Sequence, residues 1–162
     1  MPHLQVFTDA SVNTLLKVGY GACLVVSDLS TSIDTLKDRV KTKRFEQTNS
    51  TKLELQTLLW SLNEIINLAD NGDITLTIYT DSQNIIDLPD RRIGLEQRNY
   101  LSSKNKRLNN FELYQEFYHL TSSVKCKLVK VVGHRASSKK DNIDRLFALV
   151  DKAARRALRE EF

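Results

Sequence analysis

Leu4-Gln5-Val6-Phe7-Thr8-Asp9 reads as a short strand that closes on an acid. Leu4, Val6 and Thr8 fall on one face, and Gln5, Phe7 and Asp9 on the other. Open α/β sheets present their reactive groups at strand ends, so an acid in that place invites a chemical reading. One acid is weak evidence, because a turn-capping Asp looks the same. The reading depends on whether other acids arrive from distant sequence at equivalent places.

Outward from this stretch, residues 11–17 carry turn formers and lead into a second apolar run, 20–26. Gly19 and Gly21 flank Tyr20, which suits a hairpin with a twisted or bulged entry. Residues 27–38 are polar and turn-rich. Residues 39–47 return as a third strand, whose Lys41, Lys43 and Arg44 suit an exposed edge guarded by charge. Residues 51–69 form the clearest helix, with Leu55, Leu58, Leu59, Leu62, Ile65 and Ile66 at helical spacing. Asn71-Gly72-Asp73 supplies a left-handed stop.

Residues 74–81 read as a strand that again closes on an acid, Asp81. Ser82 caps a short helix through residue 86 or 88, which Pro89 ends. Residues 90–107 are strongly basic, and Asn110 caps a helix over 111–120. A fifth strand at 124–132, a basic loop at 133–140 and a helix over 141–159 complete the chain. Three meandering strands followed by helix, strand, helix, helix, strand, helix predict an α/β structure, a mixed sheet with helices packed on it.

The 162 residues suit one domain, able to bury a core without disulfides. No run is apolar enough to span a membrane, and Met1-Pro2-His3 begins no signal pattern, so a cytoplasmic protein is expected. Cys23 and Cys126 lie in strand-like runs as reduced core thiols, and the three histidines form no ligand pair. A net charge of +4 hints at a polyanionic partner.

Were the strands ending at Asp9 and Asp81 neighbours, their carboxylates would repel unless a cation or a proton lay between them. Magnesium suits an all-oxygen site. Glu54, in the first turn of the 51–69 helix, lies at the edge of its apolar stripe. Thr51-Lys52-Leu53-Glu54 is also a capping-box pattern, in which the Glu bonds back to the cap. Both roles stay open for it.

Taken in order, Val6-Phe7-Thr8-Asp9-Ala10-Ser11, Gly19-Tyr20-Gly21-Ala22, Ser50-Thr51-Lys52-Leu53-Glu54-Leu55, Ile78-Tyr79-Thr80-Asp81-Ser82 and Lys130-Val131-Val132-Gly133-His134 resemble type 1 ribonuclease H over nearly the whole chain. The resemblance implies the RNase H-like fold, a five-stranded mixed β-sheet flanked by α-helices, with residues 1–162 as a single catalytic domain. It further implies four carboxylates holding two magnesium ions, with manganese as a substitute. Asp9, Glu54 and Asp81 map onto the first three. The fourth is Asp151 or Asp144, seven residues apart on one helical face. We take Asp151, because Asp151-Lys152-Ala153-Ala154-Arg155 looks like the family's helix opening, with a short turn or helical piece around Asp144.

The implied reaction cuts the RNA strand of an RNA–DNA hybrid. Two ions roughly 3.5–4 Å apart clamp the attacking and leaving oxygens, leaving 5′-phosphate and 3′-hydroxyl ends. By resemblance His134 is a mobile proton shuttle that speeds turnover. Ser11, Ser50, Thr51 and Ser82 lie beside the RNA strand, and Arg91, Arg92, Lys104 and Lys106 form a handle on the phosphate backbone. Ser50 and Thr51 compete for a helix-capping role. A monomer is expected. The alternatives are a resolvase- or transposase-like nuclease of the same fold and a hybrid-binding module without catalysis.

Overall fold

In the computed structural model, which describes residues 2–69, 73–132 and 141–162, the first strand outruns Asp9. β1 (His3–Asn13) continues because it keeps a partner on one side. β2 (Val18–Val26) pairs with it antiparallel from Gln5↔Val26 to Asn13↔Val18. Of the twisted or bulged entry expected here, the bulge is absent, since the register is unbroken through Gly19 and Gly21. These glycines serve packing instead. A Cβ on Gly21 would lie 2.8 Å from the Thr57 Cβ, and one on Gly19 would lie 2.7 Å from the Ser11 carbonyl oxygen. Helix α2 (Ser50–Leu68) can therefore press directly onto β2.

β3 (Lys41–Glu46) is the charged edge strand beside β2. β4 (Thr75–Thr80) pairs with β1 in parallel from His3↔Thr75 to Phe7↔Tyr79, and β5 (Lys125–Lys130) pairs in parallel with β4. The sheet order is β3-β2-β1-β4-β5, which makes it mixed. Alternation along the strands divides the core in two. Val6, Leu76 and Ile78 meet Leu58 and Leu62 of α2 and Phe117 of α4 (Phe111–Ser123). On the opposite face Phe7, Ala22 and Leu24 meet Leu146, Phe147 and Val150 of α5 (Asn142–Glu161).

Two local expectations fail. Residues 27–38 are not all turn: α1 (Ile33–Lys37), capped by Ser32, inserts a fully buried Leu36 beneath α5. Pro89 does not stop a short helix either, because α3 (Gln83–Gln97) runs through it. An interior Pro costs about 3 kcal/mol in a helix. Burial of Ile85, Leu88 and Leu95 on either side of Pro89 offsets that cost. Arg91 and Arg92 consequently stand on a helix rather than in a loop.

The segment after α3 turns through Asn99 and Tyr100, both with φ near +55° (51° and 58°), and buries the Tyr100 ring. An isolated bridge, Leu101↔Arg107, then closes a small loop that carries Lys104 and Lys106 outward. Asn110 occupies the cap position of α4 without making a side-chain capping bond. At the far end of α5, Glu161 accepts from Arg44 Nε at 2.7 Å and Nη2 at 3.0 Å, tying that helix to β3. Among the described residues no helix is long and apolar enough to cross a membrane. The left-handed stop at Asn71-Gly72, the basic loop 133–140 and His134 lie outside the described residues.

Candidate active site

Asp9 stands where the sheet splits. The β1–β4 ladder ends at Phe7↔Tyr79, whereas β1 continues with β2 through Asp9↔Ala22. Continuing the parallel register by two residues sets Asp81, just beyond β4, level with Asp9. Remote stretches of sequence thus deliver two acids to one place.

Glu54 comes from α2, and the capping alternative fails for a local reason. The cap is Asn49, whose Oδ1 accepts from Lys52 N at 2.9 Å. Ser50 and Thr51 are already helical and exposed, so neither caps the helix, and Glu54 lies two residues past the position a capping box needs. Glu54 instead accepts a hydrogen bond from Ser82, whose Oγ also receives Ile85 N at 3.3 Å as the cap of α3. Ser82 is buried between these two duties.

Carboxylate oxygens of Asp9, Glu54 and Asp81 lie within 4.8 Å of one another. Asp9 is only 8% exposed. Burial pushes its carboxyl up to about 8, and the negative charge of Asp81 and a hydrogen bond with Asp151 push the same way, against a backbone bond from Ala10. Glu54 is also raised by burial, with the Ser82 bond opposing and Asp81 adding to the rise. Three converging carboxylates, two of them raised above the ordinary range, are short of positive charge. Their all-oxygen donor set and spacing fit a hard divalent cation.

α5 supplies two further acids to the same cleft of about 360 Å³. Asp144 sits in the first turn of one continuous helix, not in a separate turn before it. It forms a reciprocal capping box with Asp141, Asp144 N donating to Asp141 Oδ1 at 2.8 Å and Asp141 N to Asp144 Oδ2 at 3.3 Å. Asp151, two turns on, shares a hydrogen bond with Asp9 and pairs with Arg155 Nε at 3.1 Å. Arg155 lines the cleft and went unnoticed as a site residue in the sequence. Its signal was present, since i, i+4 spacing from Asp151 puts both on one helical face.

Ser11 lines the cleft from β1. The basic residues separate into two groups. Arg91 lies over the Tyr114 ring at 5.5 Å and bonds Asn84; Arg92 lies over Tyr118 at 5.2 Å and pairs with Glu96 at 2.8 Å. These cations pin α3 to α4. Lys104 and Lys106 are exposed on the loop beyond.

Comparison with solved structures finds the same fold. A crystal structure of LC9-RNase H1, a type 1 RNase H with the type 2 active-site motif, is similar at a TM-score of 0.72, with 18% identity over 96% of this chain and 72% of that one. The foamy viral protease-reverse transcriptase is similar in its complex with dsDNA at a TM-score of 0.61 and 8% identity, over 94% of this chain and 92% of the other. In its complex with an RNA/DNA hybrid it matches at 0.63 and 9% identity, over 95% of this chain but 19% of that one. No curated protein sequence matches. The RNase H family matches the sequence over residues 1–159. With that match and with its acids gathered at the split between β1 and β4, the chain belongs to the RNase H family.

Proposed function

We propose that this protein is a type 1 ribonuclease H that hydrolyses the RNA strand of RNA–DNA hybrids, leaving 5′-phosphate and 3′-hydroxyl ends. The observation that carries this reading is the convergence of Asp9, Glu54 and Asp81 within 4.8 Å in a chain of this family. Asp9, Glu54, Asp81 and Asp151 would hold two magnesium ions, or manganese in their place. Bound divalent cations supply an activated water and charge stabilisation at the departing oxygen.

The chain's own groups do the rest. Ser82 keeps the Glu54 carboxylate turned toward the cleft. Asp9, raised by burial, holds its proton and hydrogen-bonds Asp151, which lessens the repulsion among the acids in the absence of a cation. His134 would move a proton to or from the reacting phosphate and speed product departure. Lys104 and Lys106 would follow the phosphate backbone, with Arg91 and Arg92 holding their helix in place, and Ser11, Ser50 and Thr51 would face the RNA strand. The whole chain would act as one catalytic domain, as a monomer in the cytoplasm.

The deciding assay offers labelled hybrid, single-stranded RNA, duplex RNA and duplex DNA, each with and without magnesium. Cleavage confined to the RNA of the hybrid, and dependent on magnesium, is expected. Cleavage of duplex DNA would move the chain to a resolvase-like role, and binding without cleavage to a recognition module.

A further inference from the structure

α5 lies across β1 and β2, and beside it the same side of the sheet carries a polar surface over β4 and β5. Two rungs cross that surface in register, His3–Thr75–Lys125 and Gln5–Thr77–Lys127. Their chain neighbours Leu4, Leu76 and Cys126 pack into the core on the opposite face. A face meant for a helix carries Val, Ile and Leu; this one presents an exposed imidazole and two ammonium groups over Thr75, a buried Thr77 and Gln5, whose Oε1 is buried.

The surface is organised. The His3 ring bonds Thr75 Oγ1 at 2.6 Å through Nδ1 and Thr77 Oγ1 at 3.0 Å through Nε2, so its orientation is fixed. Lys125 and Lys127 are exposed, and neither has an ion-pair partner among the described residues. Next along β4, Tyr79 is half-buried, its ring stacked on Phe7 at 4.7 Å and 9°. Asp141 is the acid whose charge reaches Tyr79.

We propose that this face binds single-stranded nucleic acid, the unpaired RNA or DNA that leaves a hybrid seated in the cleft. Cations beside hydrogen-bonding side chains and a part-exposed aromatic on a sheet are how proteins hold unpaired strands. The two lysines are about 6.6 Å apart along β5, close to the spacing of successive phosphates in an extended strand. The surface also leads somewhere: half-buried Tyr79 on β4 stands two residues before Asp81, so a strand following β4 heads toward the cleft, while Phe7 beside it is fully buried. The inference rests on the hybrid-nuclease reading for its ligand's origin. An acidic peptide would satisfy the lysines but make no use of the part-exposed Tyr79 ring.

The test measures binding of fluorescent single-stranded RNA and single-stranded DNA oligonucleotides by anisotropy at several salt concentrations, without divalent metal. Lys125→Gln/Lys127→Gln should weaken binding roughly tenfold at low salt and reduce the salt slope by about 1.4, two single-strand phosphate contacts. A charge-matched control, Lys37→Gln/Arg39→Gln, should not. Backbone amide shifts of Thr75, Thr77, Lys125 and Lys127 should move on addition of the oligonucleotide to the wild type. No binding by the wild type, equal losses in both double variants, shifts confined elsewhere, or displacement by poly-glutamate as effective as by oligonucleotide would each overturn the proposal. Cleavage of a blunt-ended hybrid by the wild type tests the hybrid-nuclease reading separately, so either can fail alone.

Discussion

Asp9 is held where a carboxylate is least comfortable, buried and facing Asp81, and its proton links the site to stability. Its carboxyl rises from an ordinary 3.8 to about 8. Between those values the folded chain binds a proton that the unfolded chain has released, so stability falls as pH rises through that window. Metal-free protein should therefore melt at progressively lower temperature from pH 5 to pH 8. Magnesium should restore most at the upper end, and Asp9→Asn should flatten the decline; an equal decline in wild type and variant would remove Asp9 as its source. The two acids of α5 make a second contrast. Asp144→Asn should cost about 1 kcal/mol by weakening the capping box, seen in denaturant unfolding. Asp151→Asn should instead remove activity with little loss of stability. At this scale the sequence was half legible. Asp81 announced itself at a strand end and Asp9 at an expected one, although β1 runs on to Asn13 and only its ladder with β4 stops before Asp9. By contrast, Asn49, Ser50 and Thr51 are all cap-type residues in a row. Only the backbone decides which one caps, and with it whether Glu54 is free for the cleft.

The elements were legible wherever burial follows a simple period. α2, β4 and α5 emerge from their apolar spacing within a residue or two because one face of each must meet the sheet. Local punctuation misled where tertiary burial outweighed it, as at Pro89 in α3 and at the helix within residues 27–38. Pro89→Ala should then stabilise the protein by about 1–3 kcal/mol, since the Ile85 carbonyl regains a helical donor without loss of packing. Chemical denaturation would measure it, and destabilisation would mean that the ring itself is a needed contact. Gly21→Ala should act in the opposite sense. The added methyl meets Thr57, so α2 must lift from β2 at a cost of about 1–3 kcal/mol, moving Glu54 away from Asp9 and lowering activity as well as stability.

At the scale of the whole molecule, the site exists only because the sheet order sets β1 beside β4 and two helices approach that pair from opposite faces. Asp9 and Asp81 come from the strands, Glu54 from α2 on one side and Asp151 from α5 on the other. No local feature of the sequence encodes that meeting; the family resemblance did, because strand-end acids at those intervals occur in a shared topology. The basic segment shows the converse, since charge counting could not tell the arginines that pin α3 to α4 from the exposed lysines of the following loop. The most direct test of the account is a magnesium titration of hybrid cleavage by the wild type, Asp9→Asn, Glu54→Gln and Asp81→Asn, with cation binding followed by calorimetry. Each substitution should reduce cleavage by more than about 100-fold, beyond what loss of a supporting residue costs, and should weaken cation binding in parallel. Full cleavage by any of the three, or unchanged cation binding in all of them, would contradict it.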